Sequence, residues 1–122
     1  MTKTYQNDEE VTVLNLNIDR NDNGDTQELK LAGEIDAYTA PQLKEALLPL
    51  TKVEGTMVVV DLDGVNYMDS TGLGVFISAL KSTKEYNSDL RLVALQDRVR
   101  RLFDITGLDS IINIDSTVRG GK

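Results

Sequence analysis

Polar and apolar residues alternate twice near the start of the chain. From Val11 to Ile18, the residues Leu14, Leu16 and Ile18 are interleaved with Asn15 and Asn17, the period of two expected of a strand with one buried face. Glu28 to Ala32 alternates again. Between them Asn21-Asp22-Asn23-Gly24-Asp25 gathers residues that tolerate left-handed backbone, so a turn and a β-hairpin are predicted. Thr39-Ala40-Pro41-Gln42 marks a helix start, with the Thr39 hydroxyl available as cap and Pro41 placed where no intrahelical donor is needed. Ala40, Leu43, Leu47 and Leu50 share one face of that helix, and Pro49 is expected to end or distort its last turn.

Met57 to Leu62 is a short apolar run rich in β-branched residues, which predicts an inner strand covered on both faces. Because a helix precedes it, this strand should lie parallel to an earlier one. Beyond Asp63 to Met68 a second helix is expected to about Tyr86, with Leu73, Phe76, Ile77 and Leu80 at helical spacing and Phe76 and Ile77 as core. Leu90 to Leu95 reads as a strand. Asp97 can cap a third helix with Val99, Leu102 and Phe103 inside and Gly107 at its end, and Ile111 to Ile114 is a last short strand. The order β-β-α-β-α-β-α-β predicts a single α/β domain over residues 11–116, a mixed β-sheet of about four to five strands covered by helices. Residues 1–10 should be a flexible N-terminus and residues 117–122 a frayed tail.

Composition narrows the function classes. The 122 residues suffice for one domain, and with four Tyr, two Phe and no Trp its core must be mostly aliphatic. A net charge of −7, from 13 basic and 20 acidic residues, repels a phosphate backbone, so nucleic acid is not an expected partner. There is no apolar leader and no run of membrane-spanning length, so no membrane association and a cytoplasmic location are expected. Without His or Cys there is no Ser-His-Asp triad, imidazole base, thiol chemistry or ordinary zinc site. No enzyme activity, no catalytic residue and no cofactor are therefore expected.

Candidate chemistry concentrates in Asp69-Ser70-Thr71-Gly72-Leu73-Gly74, which joins a strand region to a helix start. Ser70 or Thr71 could cap the helix with its hydroxyl, and Gly72 and Gly74 would let another surface approach the backbone. An exposed hydroxyl here has three readings: a cap, a nucleophile, or a substrate for a separate kinase. The nucleophile fails, because the pattern is not Gly-x-Ser-x-Gly and no His is present to activate it. Gly72-Leu73-Gly74 starts a dinucleotide-like pattern, but Ile77 stands where its third glycine belongs. Asp61, Asp63 and Asp69 could jointly face a magnesium ion, yet such carboxylates more often serve as solvated loop residues or caps, and no metal site is predicted. Arg98, Arg100 and Arg101 are the one basic knot, read as a solvated face paired locally with Asp97 and Asp104.

Three segments together resemble the bacterial anti-sigma factor antagonists, which are single STAS domains. They are Gly33 to Pro41 (Gly-Glu-Ile-Asp-Ala-Tyr-Thr-Ala-Pro), Tyr67 to Val75, and Arg101 to Leu108, in that order. The likeness runs from about Val11 to Ile114 and is greatest to the antagonist of the general-stress sigma-factor switch. It implies a partner-switching protein whose unmodified form binds an anti-sigma factor that is also a serine kinase, releasing a stress-response sigma factor. It also implies phosphorylation at Ser70, the serine that follows the motif's Asp, and reversal by a PP2C-type serine phosphatase. By chemistry alone Thr71 would serve equally; the resemblance selects Ser70. The partner-binding residues it implies are Asp36, Asp69, Thr71, Gly72, Leu73 and Gly74, with Glu34 and Asp36 equally readable as a polar loop entering the first helix. A second reading is a STAS scaffold or sensor subunit of a larger, stressosome-like assembly.

Overall fold

In the computed structural model, which describes residues 15–115, the chain forms five strands and three helices in the expected order. They are β1 (Leu16–Asn23), β2 (Thr26–Ile35), α1 (Ala40–Thr51), β3 (Met57–Met68), α2 (Ser70–Tyr86), β4 (Asp89–Val93), α3 (Asp97–Thr106) and β5 (Asn113–Asp115), with a 3-10 turn at Leu108–Ser110. The strands lie side by side in the order β1-β2-β3-β4-β5. β1 pairs antiparallel to β2, and the remaining pairs are parallel. The predicted flexible N-terminus at residues 1–10, the strand start at Val11 and the frayed tail at residues 117–122 lie outside the described residues.

The buried strand residues all share one face. Leu29 and Leu31, Val58, Val60 and Leu62, and Leu90 and Leu92 are buried with the inner residues of all three helices in one cluster. Their neighbours Met57, Val59, Asp61, Arg91 and Val93 are only half-buried, so the expectation that β3 is covered on both faces is corrected. The reason is topological. Strands β2 to β5 are added in one direction, and right-handed crossovers made successively in one direction place every helix on the same side. Phe76 of α2 and Phe103 of α3 meet edge to face there, with centroids 6.1 Å apart.

Several boundaries differ from the expectation. The five-residue turn shrinks to Gly24-Asp25, because β1 continues to Asn23, opposite Thr26. Asp22 accepts hydrogen bonds from Gln27 Nε2 (2.7 Å) and the Gly24 N–H (3.0 Å), and these hold its carboxyl below the usual carboxylate range. β3 runs on to Met68 through Asp63-Gly64, six residues beyond the apolar run Met57 to Leu62 that predicted it. Register shifts against β2 break the period of two here, so Val65 and Met68 are buried three residues apart. Pro49 does not end α1, which continues to Thr51; the missing donor costs one intrahelical bond at an exposed position. Gln96, not Asp97, is the N-cap of α3, and Gly107 ends that helix as expected. The anticipated pairing of Arg98, Arg100 and Arg101 with Asp97 and Asp104 does not form. β5 starts two residues late because the 3-10 turn intervenes.

Candidate functional site

Strands β2 and β3 end together, and their ends build the site. Ile35 pairs with Met68, and the Asp69 N–H donates to the Ile35 carbonyl at 3.2 Å. Asp36 and Asp69 therefore leave the sheet side by side, each at the carboxyl end of a parallel strand, and each turns its chain into a helix. Two carboxylates 33 residues apart in sequence thus flank one corner of the domain.

The two turns are built alike. Asp36 Oδ1 accepts from the N–H groups of Tyr38 (2.9 Å) and Thr39 (3.1 Å). Thr39 stands at the N-cap position of α1 but does not cap it. Its hydroxyl is buried, donating to the Glu34 carbonyl and accepting from the Asp36 N–H, both at 2.9 Å, and it clasps the loop instead. Gln42 turns away to donate to the Leu16 carbonyl at 3.2 Å. At the start of α2, Asp69 is the N-cap, its Oδ1 accepting from Thr71 N–H (2.9 Å) and Gly72 N–H (3.2 Å).

This settles which group caps α2. The sequence offers a carboxylate and two hydroxyls in succession, and either hydroxyl was an expected cap. The carboxylate takes the position, since its charge complements both the free amides and the positive end of the helix dipole. Ser70 becomes the first residue of α2 and Thr71 the second; both are exposed, and neither hydroxyl has a hydrogen-bond partner among the described residues. Asp69→Ala is accordingly expected to cost about 1 kcal/mol of stability, measurable as a lower midpoint in urea. An unchanged midpoint would mean that the cap contributes nothing.

The remaining candidates separate by burial. Leu73 is 5% exposed and belongs to the core, where it anchors α2 rather than offering itself to a partner. Gly72 is buried too, and a Cβ there would meet Ile35 Cγ2 at 2.7 Å and Met68 Cγ at 2.8 Å. Its bareness lets α2 sit on the ends of β2 and β3. Gly74 is exposed, and a Cβ there would meet nothing within 4 Å. Asp36, Asp69, Ser70, Thr71 and Gly74 thus share one surface, while Gly72 and Leu73 support it from beneath.

Sequence reasoning assigned no role to two neighbours. Tyr38, quoted only as part of a motif, is 92% exposed beside Asp36. Lys44, on the polar side of α1, lines a groove of about 430 Å³ between α1 and α2, with Thr71 and Gly74 opposite. An aromatic residue two places after a helix-entry carboxylate was the available signal for the first. Nothing local marks the second. No group of three or more acidic residues able to hold a metal ion occurs among the described residues.

Residues 17–121 match the STAS domain family. The chain is similar to an anti-sigma-B factor antagonist of Bacillus subtilis, 45% identical over 108 residues that cover 88% of this chain and 98% of that one. It is similar also to an anti-sigma-B factor antagonist of Listeria monocytogenes, 57% identical over 84 residues, or 69% of this chain and 74% of that one. Among solved structures, an anti-sigma factor antagonist from Mycobacterium paratuberculosis superposes with a TM-score of 0.71 at 25% identity, covering 84% of this chain and 87% of that one.

Proposed function

The chain belongs to the STAS domain family, and on that premise we propose that it is an anti-sigma factor antagonist working by partner switching. With Ser70 unmodified, the corner formed by Asp36, Asp69, Ser70, Thr71 and Gly74 binds an anti-sigma factor, which is thereby withdrawn from a stress-response sigma factor. The anti-sigma factor is also a serine kinase that phosphorylates Ser70 and so ends its own capture. A PP2C-type serine phosphatase restores the hydroxyl. The chain acts by binding and not by turnover; nucleotide and metal belong to the kinase.

The observation that carries this reading is the division of labour between Asp69 and Ser70. Because the carboxylate caps α2, the serine hydroxyl is exposed and uncommitted, and its modification breaks no bond of the fold. A phosphate adds about −1.5 to −2 charges and three acceptor oxygens. The Thr71 and Gly72 amides that could hold such an anion are already held by Asp69. The phosphate therefore projects into solvent beside two carboxylates, where a partner would meet it.

The intact mass of the chain from its native cells, with fragmentation, tests this. One phosphoryl group on Ser70 is expected in unstressed cells and its loss on stress. A phosphate on Thr71 instead would overturn the assignment, and none in either state would overturn the switch.

A further inference from the structure

Gly74 stands where the fold has no use for a glycine. It lies in the second turn of α2 with no positive φ, and an alanine Cβ would touch nothing within 4 Å. Glycine inside an exposed helix destabilises it relative to alanine. Gly72, two residues earlier, is explained by Ile35 and Met68; Gly74 has no such neighbour. What its bareness admits must come from outside the domain.

Gly74 opens on the groove between the two helices, walled by Ala40, Pro41 and Lys44 of α1 and by Thr71, Gly74 and Val75 of α2. The groove is continuous with the switch, since Thr71 directly follows Ser70. At that same end, where both helices start, it opens at Ala37, next to the exposed Tyr38, a residue type that dominates the energetics of many interfaces. Lys44 is the one charged side chain on its walls and pairs with no carboxylate among the described residues.

We infer that the anti-sigma factor kinase anchors itself in this groove, packing an apolar side chain against Gly74 and Val75 and setting a carboxylate on Lys44. This rests on the proposed function and divides the labour within it. The groove supplies affinity that phosphorylation does not alter, and Ser70 at its end decides whether the rest of the partner surface can close.

Titration calorimetry with the purified anti-sigma factor kinase of the same genome tests it, against native chain, chain phosphorylated on Ser70, and three variants. Gly74→Ala should raise the thermal midpoint and weaken binding about tenfold, because a methyl group enters the contact. Gly74→Leu, which fills the groove, should weaken it roughly a hundredfold with an unchanged circular dichroism spectrum. Lys44→Glu should cost about tenfold and flatten the salt dependence. If Gly74→Leu and Lys44→Glu bind as tightly as native chain while Ser70 phosphate abolishes binding, the groove is overturned and the antagonist reading stands. If native unmodified chain does not bind the kinase, the antagonist reading falls and the groove with it.

Discussion

Ser70→Asp is expected to fold as the native chain does and to bind the anti-sigma factor kinase about 2 kcal/mol more weakly, a loss of roughly thirtyfold, with the phosphoserine form losing more. Both halves follow from the start of α2. The fold is indifferent because Ser70 is exposed, its hydroxyl bonds nothing among the described residues, and the cap belongs to Asp69. A negative charge at the first helical position is mildly favoured by the dipole and remains hydrated, so the stability change should stay within about 1 kcal/mol. Binding is not indifferent. A surface complementary to a neutral hydroxyl flanked by Asp36 and Asp69 must then accommodate a third negative charge with water excluded, and the like-charge cost appears in full. Ser70→Ala should bind as native and resist phosphorylation. Affinity and urea denaturation measured on the same samples decide the matter: tight binding by Ser70→Asp would remove the charge argument, and a large loss of stability would show that the switch works through the fold.

Gly33→Ala should be the most damaging single-methyl change in the sheet, lowering stability by about 3 kcal/mol or more and the thermal midpoint by roughly 10 °C. Gly33 sits in β2 at φ +122°, a backbone region that a side chain strains. A Cβ there would lie 1.8 Å from the Asn15 carbonyl oxygen, which accepts the Glu34 N–H at 2.7 Å. Relieving the clash means breaking that bond and lifting the start of β1 off β2, close to the shifts that carry β2 and β3 to their shared end. Because Asp36 follows two residues after Glu34, the variant should also loosen the Asp36 loop, seen as faster amide exchange at Tyr38 and Thr39. An unchanged midpoint would mean that the backbone can turn here at no cost.

Much of the fold was legible in the sequence, because its signals are local. Period-two alternation in β1 and β2, helical spacing of Leu43 and Leu47 or of Leu73 and Phe76, and the left-handed residue after α3 each depend on a few neighbouring residues. They determined the element order and, through it, the mixed sheet. The motif around Ser70 was equally visible, since Asp, Ser, Thr and Gly in succession mark a helix start whatever follows.

What the sequence could not decide were competitions between distant groups. Whether Asp69, Ser70 or Thr71 caps α2 depends on which oxygen the folded strand end delivers to the free amides. Whether a glycine serves the fold or a partner depends on what stands opposite. For Gly72 that is Ile35, 37 residues away, and for Gly74 it is open space. The length of β3 was hidden because its pairing partner lies in β2, and the shifts between them erase the local period. The approach of Asp36 to Asp69 likewise exists only once two parallel strands stop at the same level. Hydrogen bonding between near neighbours and side-chain periodicity are written along the chain; register, burial and which groups are left free arise only when the sheet aligns segments that the chain keeps apart.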